Sequence, residues 1–480
     1  MPEIKIGLEV HIQLNTESKL FCSCSTKQAE ANKNVCDVCL GFPGTKPVLN
    51  EKAVELALKI GYALDCKINK SFLFSRKTYF YPDLSKDFQI TQLETPVAYD
   101  GELKILDKKI GIWRAHIEED PAKIIRKDDC VLLDYNRSGI PLVEIVTAPD
   151  LKSPREARLF LQKLQQILEF IYVGDFSKEG CMRIDANISM TRYENKYGFK
   201  EGLVKEKKGG VRVEIKNISG AKEVEKALGY EILRQKNLSN LDEVKRETRL
   251  WNEKTRTTSS GREKEEEAEY GYIFEPDLPI IELHGEMLNK ILSNMPELPE
   301  EKRRKFRKYN LSEELIDTLL TEPELTHYFE YLCETHNEKA SAVLLAKFLK
   351  KTLNYHNLKL KDVHIDIRQL RRLLDLLQDY LITEDVMEIV IREMVGDHVK
   401  GRETRNPDQI LKDLDFEEPL KEEKLRVFVL EVVGENAKAV RDYKAGNKKA
   451  FEFLIGQTMK KARRGANIKR IKELLKMEVN

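Results

Sequence analysis

No stretch of this 480-residue chain approaches about 18 consecutive apolar residues, and its opening, MPEIKIGLEV, lacks the charged-then-apolar pattern of a secretory leader. These absences lead to the expectation of a soluble, cytoplasmic protein with no membrane partner. Net charge is almost absent as well: 82 Lys plus Arg stand against 81 Asp plus Glu, so the global balance neither requires nor excludes a polyanionic partner. The common nucleotide cradles are missing. There is no G-x-x-x-x-G-K-[ST] loop, no G-x-G-x-x-G after a strand and no kinase signature set, so any ATP chemistry must use a different cradle. We find no internal repeat.

The chain is too long for a single core, and about three domains is the soft prior. Its first part mixes strand-like alternation with helical periodicity. In GLEVHIQL, Leu8, Val10, Ile12 and Leu14 alternate with Glu9, His11 and Gln13, which places a carboxylate, an imidazole and an amide on one strand face. MRIDANISM (182–190) and VRVEIKN (211–217) alternate in the same way. Ser153-Pro154-Arg155-Glu156 is a capping box with proline at the first helical position. Strands with one polar face predict an antiparallel sheet open to a cavity, with helices on its other face. Composition shifts to helical patterning near Pro296, and the polar GRETRNPDQ (401–409) reads as a linker before a small basic helical unit. The expected fold is α+β: an antiparallel-sheet cradle (1–292), an all-α domain (293–408) and a small helical tail domain (409–480). The charged segment 253–269 reads as a mobile loop.

Three constellations carry possible chemistry. Cys22, Cys24, Cys36 and Cys39 form two close thiol pairs about a dozen residues apart, a spacing that closes a structural tetrahedral zinc site or leaves four unrelated reduced cysteines. Glu144 interrupts the apolar run PLVEIV, and HIEED offers Glu118, Glu119 and Asp120 at a strand end. With Glu9 and His11 these residues suit Mg2+, or else salt bridges across a sheet. RKTYFYPDLSKDFQITQ (76–92) combines a basic pair with three aromatics and reads as a rigid loop, for a nucleotide or simply as an aromatic-anchored turn. Asn136-Arg137-Ser138-Gly139 is a turn presenting an arginine.

Taken in order, GLEVHIQL, KLFCSC, VCDVCLGFPGTKPVLN, RKTYFYPD, HIEED, DYNRSGIPLVEIVTAPD, MRIDANIS, VEIKN and FEPDLP resemble the B-subunit family of the aspartyl/glutamyl-tRNA amidotransferases. The match is dense from Gly7 to about Pro279 and resumes at GQTMKKARRGAN (456–467). This resemblance implies a ligase that phosphorylates the side-chain carboxylate of misacylated Glu-tRNA(Gln) or Asp-tRNA(Asn) with ATP and then amidates it with ammonia. It implies Mg2+ on Glu9, His11, Glu119 and Glu144, with His11, Glu119 and Glu144 catalytic, and it chooses Glu119 over Glu118. Lys77 and Arg137 become candidates for the ATP phosphates, and Asp185, Lys216 and Tyr81 for the substrate. The chain has no Gly-Gly-Ser-Ser amidase signature, so the resemblance implies two protein partners beside tRNA: a glutaminase (the A subunit) with a small bracing protein (the C subunit). HIEEDPAK has Pro121-Ala122, which is similar to the related archaeal E subunit, where the B subunit more often has Ala-Gly. Two other readings are a tRNA-binding scaffold without kinase activity and an adenylating, synthetase-like ligase. Residues 451–480 hold eight basic residues against three acidic ones, for a net charge of +5. In the light of the resemblance this basic tail is expected to face tRNA.

Overall fold

The computed structural model of the chain describes residues 2–178, 180–198, 202–238, 243–263, 271–414, 416, 422–462 and 468–479. The polypeptide divides into two compact units, Met1–Pro299 and Glu300–Asn480.

The first unit is organised by a ten-stranded sheet. Its strands are β1 (Glu3–Gln13), β2 (Lys67–Ile68), β3 (Ala98–Ile105), β4 (Lys108–Glu119), β5 (Pro141–Thr147), β6 (Met182–Gly198), β7 (Gly202–Gly209), β8 (Val213–Ile218), β9 (Glu247–Asn252) and β10 (Thr257–Glu263). They lie in the order β10-β9-β8-β6-β1-β5-β4-β3-β2, with β7 paired to β6 beside this path. Every pairing is antiparallel except β8 with β9, whose crossover carries a helix. The expected antiparallel sheet is therefore present.

Period-two alternation decides which side of the sheet is wet. Leu8, Val10 and Ile12 of β1, Ile117 of β4, Val143 and Ile145 of β5, and Ile184, Ala186 and Ile188 of β6 are buried in one core. Covering that face are α1 (Glu51–Ala63), α2 (Pro154–Phe170) and α3 (Ala221–Lys236), which contribute Leu58, Phe160, Leu164, Leu168 and Leu228. Proline opens α2 as expected, and the Ser153 hydroxyl accepts from the Glu156 N–H at 3.2 Å. The reciprocal half of the box differs: the Glu156 carboxylate accepts from the Lys152 N–H at 2.9 Å instead.

Three local expectations are corrected. Residues 253–263, expected as a mobile loop, form the hairpin turn and strand that pair with β9; residues 264–270 lie outside the described set. The segment 76–92, read as a loop, is partly sheet: Ser75–Thr78 pairs with Phe88–Thr91, and the aromatic residues sit in the connection. In the second unit GRETRNPDQ is not a loose linker. Asn406 caps a helix that begins at Pro407, and Arg405 bonds Asp397 and Asp413 at 2.9 and 2.8 Å.

The second unit is helical throughout its described residues, beginning with Pro299–Arg307 and ending with Ile468–Val479. Phe306, Leu319, Phe329 and Leu344 are buried in its first half. The helices Glu422–Glu435, Lys448–Ala462 and Ile468–Val479 close around Val429, Val432, Leu454, Ile471 and Leu475. Arg463, Arg464, Gly465 and Asn467 of the basic tail lie outside the described residues.

Candidate active site

The polar face of the sheet gathers the site. β1 sits between β5 and β6, with His11 opposite Glu144 on one side and Arg183 on the other, while Glu9 faces Asp185. Glu144 is in turn opposite His116 of β4. Because all these positions obey the same alternation, their side chains emerge on one surface.

Two groups of metal-binding type result. In the first, His11 Nε2 lies 3.4 Å from Glu118 Oε1 and 3.5 Å from Glu144 Oε2. His116 Nε2 approaches the same Glu144 oxygen at 3.3 Å. In the second, Glu9, Asp185 and Glu214 each place an oxygen within 4.8 Å of the others. Lys216 pairs with Asp185 and lies 3.5 Å from Glu214, and Asn187 Nδ2 donates to Glu9 at 2.9 Å.

The electrostatics follow from this crowding. Burial opposes a charged His11, but the Glu144 and Glu118 carboxylates outweigh it and push the imidazole up to about 9. His116 is raised by the same two carboxylates against its burial. Burial would raise Glu144, yet both imidazoles hold it well below the usual carboxylate range. Glu9 is raised, first by burial and then by Glu144 and Glu214. Such a set suits a cation: oxygen donors prevail, and the imidazolium protons occupy the place of positive charge beside buried carboxylates.

Glu119, which the resemblance chose over Glu118, is not part of either group. Alternation turns it to the opposite side of β4, where it accepts from Lys86 Nζ at 2.7 Å and from the Ile90 N–H at 2.9 Å. Arg137 differs too. Its guanidinium donates to the Pro121 and Ala122 carbonyls at 2.8 and 2.7 Å and lies 3.6 Å from Asp120, so it braces the turn after β4. Gly139, at φ 83°, adopts the left-handed conformation in Arg137's own turn, Asn136–Gly139, which leads into β5. Lys77 stands in the strand Ser75–Thr78 with its ammonium 5.7 Å from the Tyr79 ring, and Tyr81 is half-exposed in the connection. Neither belongs to the two groups around His11 and Glu9. Asp185 and Lys216 do sit together on the polar face.

Residue-by-residue reading of the sequence missed His116, Glu214 and Arg183. Arg183 grips buried Asp120 through two hydrogen bonds of 2.8 and 3.1 Å, and Gln13 Nε2 donates to the same carboxylate at 2.8 Å. Their signal was present as alternation in HIEED, VEIKN and MRIDANIS, but cross-strand register was needed to use it.

Away from the sheet, the sulfurs of Cys22, Cys24, Cys36 and Cys39 all lie within 4.8 Å of one another, a cluster that could hold a metal ion. A hydrogen bond from Cys22 leads the influences that lower the Cys39 thiol to about 4, with the fully buried Lys19 ammonium, 3.4 Å from its sulfur, contributing. Four converging sulfurs with one favoured as thiolate match the donor set of a structural zinc site.

Residues 4–289 match the family model described as the GatB/GatE catalytic domain. The chain belongs to that family. A second model, the GatB domain, matches residues 327–479. Among the family's curated members, the B subunit of the aspartyl/glutamyl-tRNA(Asn/Gln) amidotransferase from Methanospirillum hungatei JF-1 is 41% identical over 99% of this chain and 98% of its own length. The B subunit from Carboxydothermus hydrogenoformans is 39% identical over 99% and 98% respectively. The expected family is thereby borne out. Among the described residues no helix is long and apolar enough to cross a membrane.

Proposed function

We propose that this chain, as the B subunit of a tRNA-dependent amidotransferase, activates the side-chain carboxylate of Glu- or Asp-tRNA with ATP and hands it to ammonia. The observation that carries this reading is the pair of groups His11/Glu118/Glu144 and Glu9/Asp185/Glu214 on one open sheet face. A carboxylate resists amines until one oxygen becomes a leaving group. Its oxygen attacks the γ-phosphorus, ADP departs and an acyl phosphate forms; ammonia then attacks the carbonyl carbon, phosphate leaves, and the surplus proton passes to a base. Bound Mg2+ would be held by Glu9, Glu118, Glu144, Asp185 and Glu214 with His11, and would screen phosphate charge. Lys216, tied to Asp185, brings a fixed cation to the same surface, and Arg183, locked by Asp120, another.

Ammonia comes from the glutaminase (A subunit), which is braced by the small C subunit, in the cytoplasm. The four cysteines bind a structural zinc ion. The tail from 409 onward contacts tRNA through its lysines and arginines, so removing residues 422–480 weakens tRNA binding and flattens its salt dependence by several units. Equal slopes for the full and shortened chains would refute the tail's role.

The test of the function itself uses the assembled complex with each misacylated tRNA, ATP and glutamine. Amidated product with ADP is expected; AMP and pyrophosphate would indicate an adenylating ligase, and product formed without nucleotide cleavage would leave only a scaffold.

A further inference from the structure

The cysteine cluster has a cation at its centre that four-sulfur coordination does not itself require. Lys19 is fully buried, a state lysine almost never reaches unless its ammonium is paired. Among the described residues no carboxylate supplies that partner. The Nζ instead lies 3.4 Å from the Cys39 sulfur and donates to the Tyr135 carbonyl at 3.1 Å. A neutral carbonyl does not offset the desolvation of a full charge, so the partner of consequence is the sulfur. Glu119 comes near the same place across Gly139: a Cβ on that glycine would stand 3.5 Å from Lys19 Cδ and 3.9 Å from Glu119 Oε2. That carboxylate is already held by Lys86.

The placement follows from the local chain. In KLFCSC the Lys19 N–H donates to the Cys24 carbonyl at 2.9 Å, and Ser18 bridges to Ser25. The Lys19 backbone therefore closes the loop that carries Cys22 and Cys24, while its side chain crosses to Cys39 of the other pair. One residue ties both halves of the cluster. The next N–H, from Leu20, donates to the Gly139 carbonyl at 2.8 Å and holds this segment against that turn. At the Cys39 sulfur the Cys36 N–H adds a further donor at 3.2 Å, but it brings no full charge.

Four thiolates around a dication leave a formal dianion, which is costly where Cys39 is buried and the other three cysteines are partly so. We propose that Lys19 is the counter-ion built into this site: its ammonium, seated at Cys39, offsets part of the surplus negative charge of a zinc–thiolate centre and so sets how tightly the chain holds the metal. Lys19 coordinates nothing itself; it is a positioning and charge-balancing residue outside the four ligands. This rests on the zinc reading above and adds what fixes the strength of the site.

The test uses the full chain with Lys19→Met, which keeps the length and removes the charge, and Lys19→Gln, which keeps a neutral donor. Zn2+ affinity, measured by competition with a chromogenic chelator, should fall about 10- to 100-fold in both. Co2+ in place of Zn2+ should give the same visible absorption in parent and variants, because the four ligands are unchanged. Melting of the metal-free chains separates charge from packing. Replacing a buried ion pair by neutral groups is often neutral or stabilising, so metal-free Lys19→Met should melt no lower than the metal-free parent. Its deficit should appear only with zinc bound. Unchanged zinc affinity in both variants would overturn the proposal, as would an altered Co2+ spectrum. So would a metal-free Lys19→Met that melts well below the parent or fails to fold, since Lys19 would then serve packing alone. A parent chain that holds no zinc would instead sink the zinc reading and the counter-ion with it.

Discussion

The cysteine cluster and the carboxylate-imidazole face are both places where metal-binding side chains converge, but they are assembled in opposite ways. Cys22, Cys24, Cys36 and Cys39 come from one short stretch, and local turns alone bring their sulfurs within 4.8 Å. Glu9, His11, Glu118, Glu144, Asp185 and Glu214 come from five strands, and only the register of β1 with β5 and β6, of β5 with β4, and of β6 with β8 makes them neighbours. The first arrangement depends on chain-local geometry and the second on the whole sheet. One is a clasp for the chain that carries it, while the other uses a folded core to hold charges that repel.

The comparison predicts different symptoms of damage. The largest effect belongs to the sheet: Glu118→Gln or Glu144→Gln should lower ADP formation by about 100-fold or more with tRNA binding little changed, since a main electrostatic stabiliser of the reaction is lost. Glu119→Gln should retain metal binding at His11 and show first as a lower melting temperature, because it leaves Lys86 without its carboxylate. Equal metal affinity in the Glu118 and Glu119 variants would break the assignment.

The cysteines should fail structurally before they fail chemically. Cys39→Ser is expected to reduce zinc from about one ion per chain and to lower solubility or melting temperature, with kcat per folded molecule nearly kept. Elemental analysis finding no zinc in parent protein purified without chelators would remove the distinction.

The smallest effect is a pH dependence. His11 is raised to about 9 in the folded chain, above its ordinary 6.5, so its favourable contribution is complete below about 6.5 and is lost as pH rises through about 9. Metal-free protein should therefore lose stability gradually across that window, and His11→Asn should flatten the slope. Metal affinity should move the other way over the same range, since the imidazole must shed its proton to coordinate. Parallel melting curves for parent and variant would show that His11 carries no such charge.

How far the site could be read beforehand follows from the same contrast. Cysteine spacing is local, so it was legible. So was the polar face of β1, because GLEVHIQL states its period directly, and so was the start of α2 at Ser153-Pro154. Glu118 and Glu119 are chemically alike and adjacent, and the residue pattern alone offers no choice between them; the pairing of Leu142 with Glu118 and His116 with Glu144 makes it. Glu214 looked like one more alternating charge, since the partners that give it meaning lie far away in sequence. The turn bearing Arg137 was visible, but the carbonyls that absorb its guanidinium were not. At 401–409 polar composition suggested a linker, although Asn406-Pro407 also spells a helix start and Arg405 finds its acids nearby.

The back-to-back placement of Glu118 and Glu119 constrains how this gene can change. A strand whose two faces both carry committed residues cannot gain or lose one position, because a slip exchanges every inward side chain for an outward one. Deleting a residue before Glu118 would turn Glu119 toward His11 and set Asp120 by Lys86, while inserting one would turn Glu118 toward Lys86 and bring Ile117 to His11. Length variation in relatives should therefore gather in the connections around β4, such as the Lys123–Arg126/Val131–Asp134 hairpin that follows it. The strand itself should keep its count of residues even where its letters drift.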